Sequence, residues 1–222
     1  MVSTVGPDDV ERRYTDAARE ARAGWAAADP AACAARAGCE VSGDDVLVPL
    51  FGRAHLVRHP GGEVETPAPD AQVGPGSAAK PVHDAVAILL LHYLLTADGT
   101  PPAGEWLAYR ELPGGLFYAT AFAARSEESL ARAFAGPAGP SGPGPLAFTA
   151  AALCLGGEPL RLADAAFRFE ALPRLAVAAL LWAGDDEEEG AAAVLFDAAA
   201  GHYLPAEDLA GLGGFLAQRL TR

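Results

Sequence analysis

The apolar positions change period several times along the chain. Residues 8 to 28, rich in alanine, arginine and glutamate, predict a helix. Asp29-Pro30 starts a second, short helix, with proline at its first position, that ends at Gly38. Val46, Val48 and Leu50 then alternate with other residues, so 45–51 and 54–59 predict a β-hairpin turning at Gly52, with a short strand following at 63–66. Residues 67–81 are mainly Pro, Gly, Ser and Ala and read as a connector. Helical spacing returns at Val86, Leu89, Leu90, Tyr93 and Leu94, in a helix over 82–97 that is apolar nearly all round and therefore buried on several sides. Gly99 and the prolines that follow stop it. Residues 105–110 alternate as a short strand, Pro113-Gly114-Gly115 breaks it, and 116–135 predict a helix that offers Phe117, Phe122, Leu130 and Phe134 to the core.

The low-complexity Gly/Pro stretch at 136–145 is expected to be a mobile loop separating two lobes of a single domain over 1–222. After a helix at 146–155, Phe167 and Phe169 alternate with Arg168 and Glu170, which predicts a strand with one buried face. Residues 175–183 are continuously apolar, as in a central strand, 184–190 form a charged turn, 193–196 return as a third strand, and 206–219 close the chain as a helix. Short turns between successive strands require antiparallel pairing. The expected class is α+β: an N-terminal hairpin and a C-terminal three-stranded meander, packed with about five or six helices.

Composition tempers this picture. The apolar fraction of 51% includes 51 alanines among 222 residues, so large apolar side chains are few and the core is modest in volume. Twenty-nine acidic against sixteen basic residues leave a net charge of −13, with one lysine, Lys80, and no basic cluster; nucleic-acid binding is not expected. The longest apolar run, 85–95, falls short of the roughly 20 residues a membrane-spanning helix needs. The N-terminus lacks a basic start and an apolar stretch, and Cys33, Cys39 and Cys154 have no metal-ligand spacing, so the expected setting is the cytoplasm, with free thiols and no metal site.

No nucleophile-elbow, phosphate-loop, dinucleotide-binding or zinc-protease motif occurs. Candidate chemistry gathers in two polar, turn-rich stretches. The first, 92–118, holds His92 and Tyr93 on the apolar helix, Trp106 and Tyr118 as aromatic surface, and Arg110 with Glu111, a guanidinium suited to an anion beside a carboxylate. The second, 196–208, holds Asp197 at a strand end and His202-Tyr203 in a loop ahead of the closing helix, where functional side chains concentrate. Arg174, at the connection after Pro173, completes the set.

Several segments together resemble an uncharacterised bacterial and archaeal family, domain-of-unknown-function family 3786: His-Tyr-Leu-Leu with Asp-Gly-Thr-Pro (92–101), Glu-Trp with Arg-Glu-Leu-Pro-Gly-Gly (105–115), Phe-Arg-Phe-Glu-Ala-Leu-Pro-Arg (167–174), Leu-Trp-Ala-Gly-Asp (181–185), and Leu-Phe-Asp with His-Tyr-Leu-Pro and Glu-Asp-Leu (195–209). The resemblance assigns no activity and no cofactor. It implies a setting in anaerobic redox or corrinoid metabolism, with an iron–sulfur or corrinoid protein as partner. Three readings follow. The first is a ligand- or cofactor-binding accessory protein, in which His92 and His202 would be the axial ligands of any tetrapyrrole. The second is a small enzyme with His202 as acid–base and Arg110 as anion anchor. The third is a partner-binding scaffold, which requires an exposed apolar patch and no enclosed cavity.

Overall fold

The computed structural model describes residues 7–67, 79–136, 143–185 and 187–222. These divide into two compact units, residues 1–49 with 53–99, and residues 50–52 with 100–222. Most of the 67–81 connector and residues 137–142 of the Gly/Pro stretch lie outside the described residues. Both flanks of that stretch belong to the second unit.

In the first unit, α1 (Pro7–Ala27) and α2 (Pro30–Ala37) lead into a five-stranded antiparallel meander: β1 (Glu40–Ser42), β2 (Asp45–Leu50), β3 (Arg53–Val57), β4 (Val64–Pro67) and β5 (Ala79–Pro81). The expected hairpin is thus the centre of a larger sheet. The Asp29 carboxylate caps α2 by accepting from the Ala31 and Ala32 N–H groups, and Gly38 ends it in the left-handed conformation that glycine adopts without strain. Val46, Val48 and Leu50 are buried and alternate with half-buried residues, as their period requires. Arg58, just beyond β3, ties the sheet together, donating to Asp45 at 2.8 Å and to Glu65 at 2.9 Å. The hydrogen bond to Asp45 is the main cause that raises its pKa above the ordinary arginine value. α3 (Asp84–Thr96) begins at His83, whose Nδ1 accepts from the Ala85 N–H, and is buried at Ala87, Ile88, Leu89, Leu90, Leu91, Tyr93 and Leu94.

The second unit is built on another five-stranded antiparallel sheet, in the order β6 (Trp106–Ala108), β10 (Ala191–Asp197), β9 (Leu175–Trp182), β8 (Ala165–Leu172) and β7 (Glu158–Pro159). The expected three-strand meander is its centre, extended by one short strand on each edge. Its helices are α4 (Ala119–Arg125), α5 (Glu127–Phe134), α6 (Pro143–Cys154) and α7 (Ala206–Leu220). The two faces of the sheet differ in side-chain size. Phe167 and Phe196 lie on one face, where Phe167 meets Phe148 and Phe196 meets Phe122 and Tyr109. The other face carries a small buried cluster of Ala166, Ala178 and Leu180, with Trp106, Leu160, Ala163, Ala193 and Leu195 partly buried against it. Small side chains here leave room for the indole. The β8–β9 register shifts between Glu170 and Leu172, and the Ala171 carbonyl there accepts from the Phe51 N–H.

Two expectations need correcting. The strand expected over 105–110 ends at Ala108, because β10 pairs only with 106–108; Tyr109–Glu111 is a 3-10 turn, and Arg110 and Glu111 are not strand residues. The single helix expected over 116–135 is a 3-10 turn, Gly115–Tyr118, followed by α4 and α5, which part at Ser126. Phe122, Leu130 and Phe134 are core residues, but Phe117 is 89% exposed.

Candidate functional site

The register of the second sheet gathers functional groups at one end. Trp106 lies opposite Asp197, and the pairing of Phe196 with Val177 brings the β8–β9 turn, with Arg174 in it, to that same end. The loop at 100–105 and the turn at 198–203 cross here.

Asp197 holds this corner together. Its carboxylate is buried and accepts from the Ala103 N–H at 2.9 Å, the Gly104 N–H at 2.8 Å and the Ala199 N–H at 2.9 Å. The first two belong to the incoming loop; the third caps the 3-10 turn Ala198–His202. A buried carboxylate is tolerated when backbone donors replace its water. The Ala198 N–H adds a bond to the Glu105 carbonyl. The Tyr203 hydroxyl donates to the Thr100 carbonyl, and His202 Nδ1 lies 3.3 Å from Thr100 Oγ1. Tyr203 is thereby a buried strut, whereas the His202 ring faces solvent. Trp106 is half-buried against the Ala166–Ala178–Leu180 cluster.

The next segment turns the chain over. Tyr109 is buried, stacks on Phe122 with ring centroids 4.2 Å apart, and donates its hydroxyl to the Ala206 carbonyl at 2.8 Å. Burial, with Tyr118 and Glu207 nearby, pushes its pKa up to about 12. Glu111 accepts from the Ala108 N–H at 2.7 Å and so caps its own turn. Arg110 is exposed and lies on the Glu127 side, where it favours the ionised carboxylate. Burial is nevertheless the larger influence on Glu127 and raises its pKa, although the carboxylate accepts from the Val194 N–H.

Gly114, at φ 78°, and Gly115 then let the chain fold back tightly: a Cβ on Gly115 would lie 1.9 Å from the Tyr109 carbonyl oxygen. In the tight turn that follows, Leu116, Phe117 and Tyr118 stand 74%, 89% and 43% exposed.

The sequence-derived residues therefore separate. Trp106, Arg174, Asp197, His202 and Tyr203 share one end of the second sheet; Arg110, Glu111 and Tyr118 belong to the fold-back beyond it. His92 and Tyr93 belong to the first unit, where Tyr93 is buried and donates to the Ala37 carbonyl at 2.7 Å. Neither of two open surface depressions is lined by His202 or Arg110: one, of about 510 Å³, lies between the end of α5 and the 184–190 turn, and the other, of about 480 Å³, between α5 and α7. Among the described residues no group of three or more His, Cys, Asp or Glu side chains is placed to hold a metal ion, and no helix is long and apolar enough to cross a membrane.

Leu116 and Phe117 escaped sequence reasoning because a helix was extended back to them. Helical phase carried the signal. Phe122, Ser126, Leu130 and Phe134 are buried at a spacing of four, and one further step back reaches Tyr118, not Phe117.

No curated protein and no solved structure matches the chain. A family model does match, over residues 29–219, which takes in both units; the chain belongs to the family described as Domain of unknown function (DUF3786).

Proposed function

We propose that this is a partner-binding accessory protein and that it docks through the Gly115–Tyr118 turn. One observation carries the reading: three consecutive large side chains, Leu116, Phe117 and Tyr118, are presented to water directly after a glycine packed against the Tyr109 carbonyl. Burying a phenylalanine is worth roughly 1.5–3 kcal/mol, a gain the isolated chain leaves unused at Phe117. Rigid aromatic anchors of this kind supply the centre of many interfaces, because little conformational entropy remains to be lost.

The surroundings specify the partner's chemistry. Glu111 and Glu207 lie near the turn, Arg110 is the nearby base, and the chain carries −13 overall. The complementary surface is an apolar socket with a basic rim. An iron–sulfur or corrinoid protein is the partner class we propose, in an accessory role in anaerobic redox or corrinoid metabolism in the cytoplasm. A photo-crosslinking amino acid at position 117, in the full chain expressed in its own cells, is expected to trap one such protein, whereas the same group at exposed Val41 is not. Capture of nothing at 117, or the same proteins at both positions, would overturn the reading.

A second reading rests on the corner at the end of the second sheet, where the exposed His202 ring is held beside Thr100. There His202 would serve as a ligand or as an acid–base. Titration with haem and with cobalamin tests the ligand role: a spectral shift abolished by His202→Ala supports it, and no shift excludes it.

A further inference from the structure

α6 is unusual among the helices of the described residues: its sequence, Pro143–Cys154, contains no Asp, Glu, Lys or Arg. One stripe of it is core. Phe148 and Ala152 are fully buried, and the Phe148 ring meets Phe134 and Phe167. The first turn is pressed against the end of α5, since a Cβ on Gly144 would lie 2.1 Å from the Phe134 carbonyl oxygen. The opposite stripe is also apolar and faces water: Leu146, Ala147, Ala150, Leu153 and Cys154 are exposed, the two leucines at 62% and 55%. A helix apolar all round is normally covered on all sides.

The exposed positions are symmetric about Ala150. A two-fold axis through Ala150, running between two antiparallel helices, sets Leu153 of one copy over Ala147 of the other, Leu146 over Cys154, and Ala150 over itself. Large thus meets small on either side of the axis, and Ala150 against itself allows the close approach that helix packing requires. Charge permits this occupant at α6. Two copies, each at −13, repel at most approaches, and a helix without ionised side chains lets them meet with no like charges in contact.

We infer that the outer face of α6 is an isologous interface with a second copy of this chain. The helix spans roughly 18 Å, so the contact is smaller than a standard interface and association is weak, with Kd on the order of micromolar or above. Because net repulsion opposes an apolar contact, added salt strengthens the dimer.

Sedimentation equilibrium of the full chain over a concentration series is the test. The weight-average mass is expected to rise from 22.7 kDa toward twice that value, and further in higher salt. Leu153→Glu, at a position too exposed to matter for folding, is expected to raise Kd about tenfold or more, and Ala150→Arg to do the same. Leu146→Cys is expected to form a disulfide-linked dimer with native Cys154 under mild oxidation. The other thiols do not compete, since Cys33 is buried and burial pushes Cys39 up to about 12. A chain that stays monomeric, a dimer indifferent to Leu153→Glu and Ala150→Arg, a dimer weakened by salt, or no cross-link from Leu146→Cys would each overturn the inference.

Discussion

Two neighbouring parts of the second unit invert the usual partition of side chains. At the Asp197 corner a carboxylate is buried; at the Gly115–Tyr118 turn, Leu116 and Phe117 are left in water. The inversion is complete in opposite senses. Asp197 meets three backbone donors, so its burial is accounted for by the loops it fixes. Phe117 is accounted for by nothing in the architecture around it. A buried carboxylate met by three backbone donors is an architectural device, whereas an exposed aromatic is surface that, on the reading we propose, serves contact. The contrast places Asp197, with Tyr203 beside it, on the structural side. Phe117, expected in the core, is exposed and is the residue through which we propose contact.

The largest expected effect tests the structural half. Asp197→Ala leaves the Ala103, Gly104 and Ala199 N–H groups without their acceptor and is expected to cost about 3 kcal/mol in denaturant unfolding. Asp197→Asn, which keeps one acceptor oxygen, should cost about half of that. A loss under about 0.5 kcal/mol for the alanine variant would break the contrast by showing that the corner does not depend on the carboxylate. Gly115→Ala comes next. Its Cβ cannot coexist with the Tyr109 carbonyl, so the turn must shift, at about 2 kcal/mol; crosslinking through position 117 is expected to fall with it.

Glu127→Gln is smaller and depends on pH. The parent carboxyl titrates higher in the folded chain than in the unfolded one, because burial outweighs the Val194 N–H and Arg110. At low pH both states are protonated and the group has no effect. As pH rises, the unfolded state ionises first, so the parent loses stability up to the raised folded value. The variant, which still offers an oxygen to Val194, is expected to equal or exceed the parent at neutral pH and to show a flatter stability–pH profile between the ordinary carboxylate range and neutrality. A parent that gains stability over that window would reverse the assignment. The smallest effect is expected at Phe117: Phe117→Asp should change unfolding free energy by less than about 0.5 kcal/mol, and a larger loss would mean that the ring belongs to the core after all.

Much of the fold was legible, for local reasons. The Asp29-Pro30 start and Gly38 stop of α2, the Val46–Val48–Leu50 alternation and the faces of β8 each express a rule spanning a few residues. Errors came where strand pairing and turn packing decide. Nothing near Ala108 says that β10 will pair with only three residues of β6, whereas Phe117 lay within reach of a local signal, since it falls outside the four-residue spacing of Phe122, Ser126, Leu130 and Phe134. The candidate site was legible as a list of residues but not as an arrangement. His202-Tyr203 stands out as a polar dipeptide, yet only the bonds of Tyr203 and Asp197 to the 100–104 segment show that one residue is a strut and another an anchor.

By itself, then, the sequence determined the class of structure and its rough order, because helical and strand periods, caps and turn residues act over short range. It also determined the charge, and with it the kinds of surface this protein is able to present. Only the tertiary structure decided which polar groups are consumed in holding loops and which apolar groups remain outside. At the Asp197 corner burial is a property of the space between segments about a hundred residues apart, and no local pattern there encodes what will occupy that space.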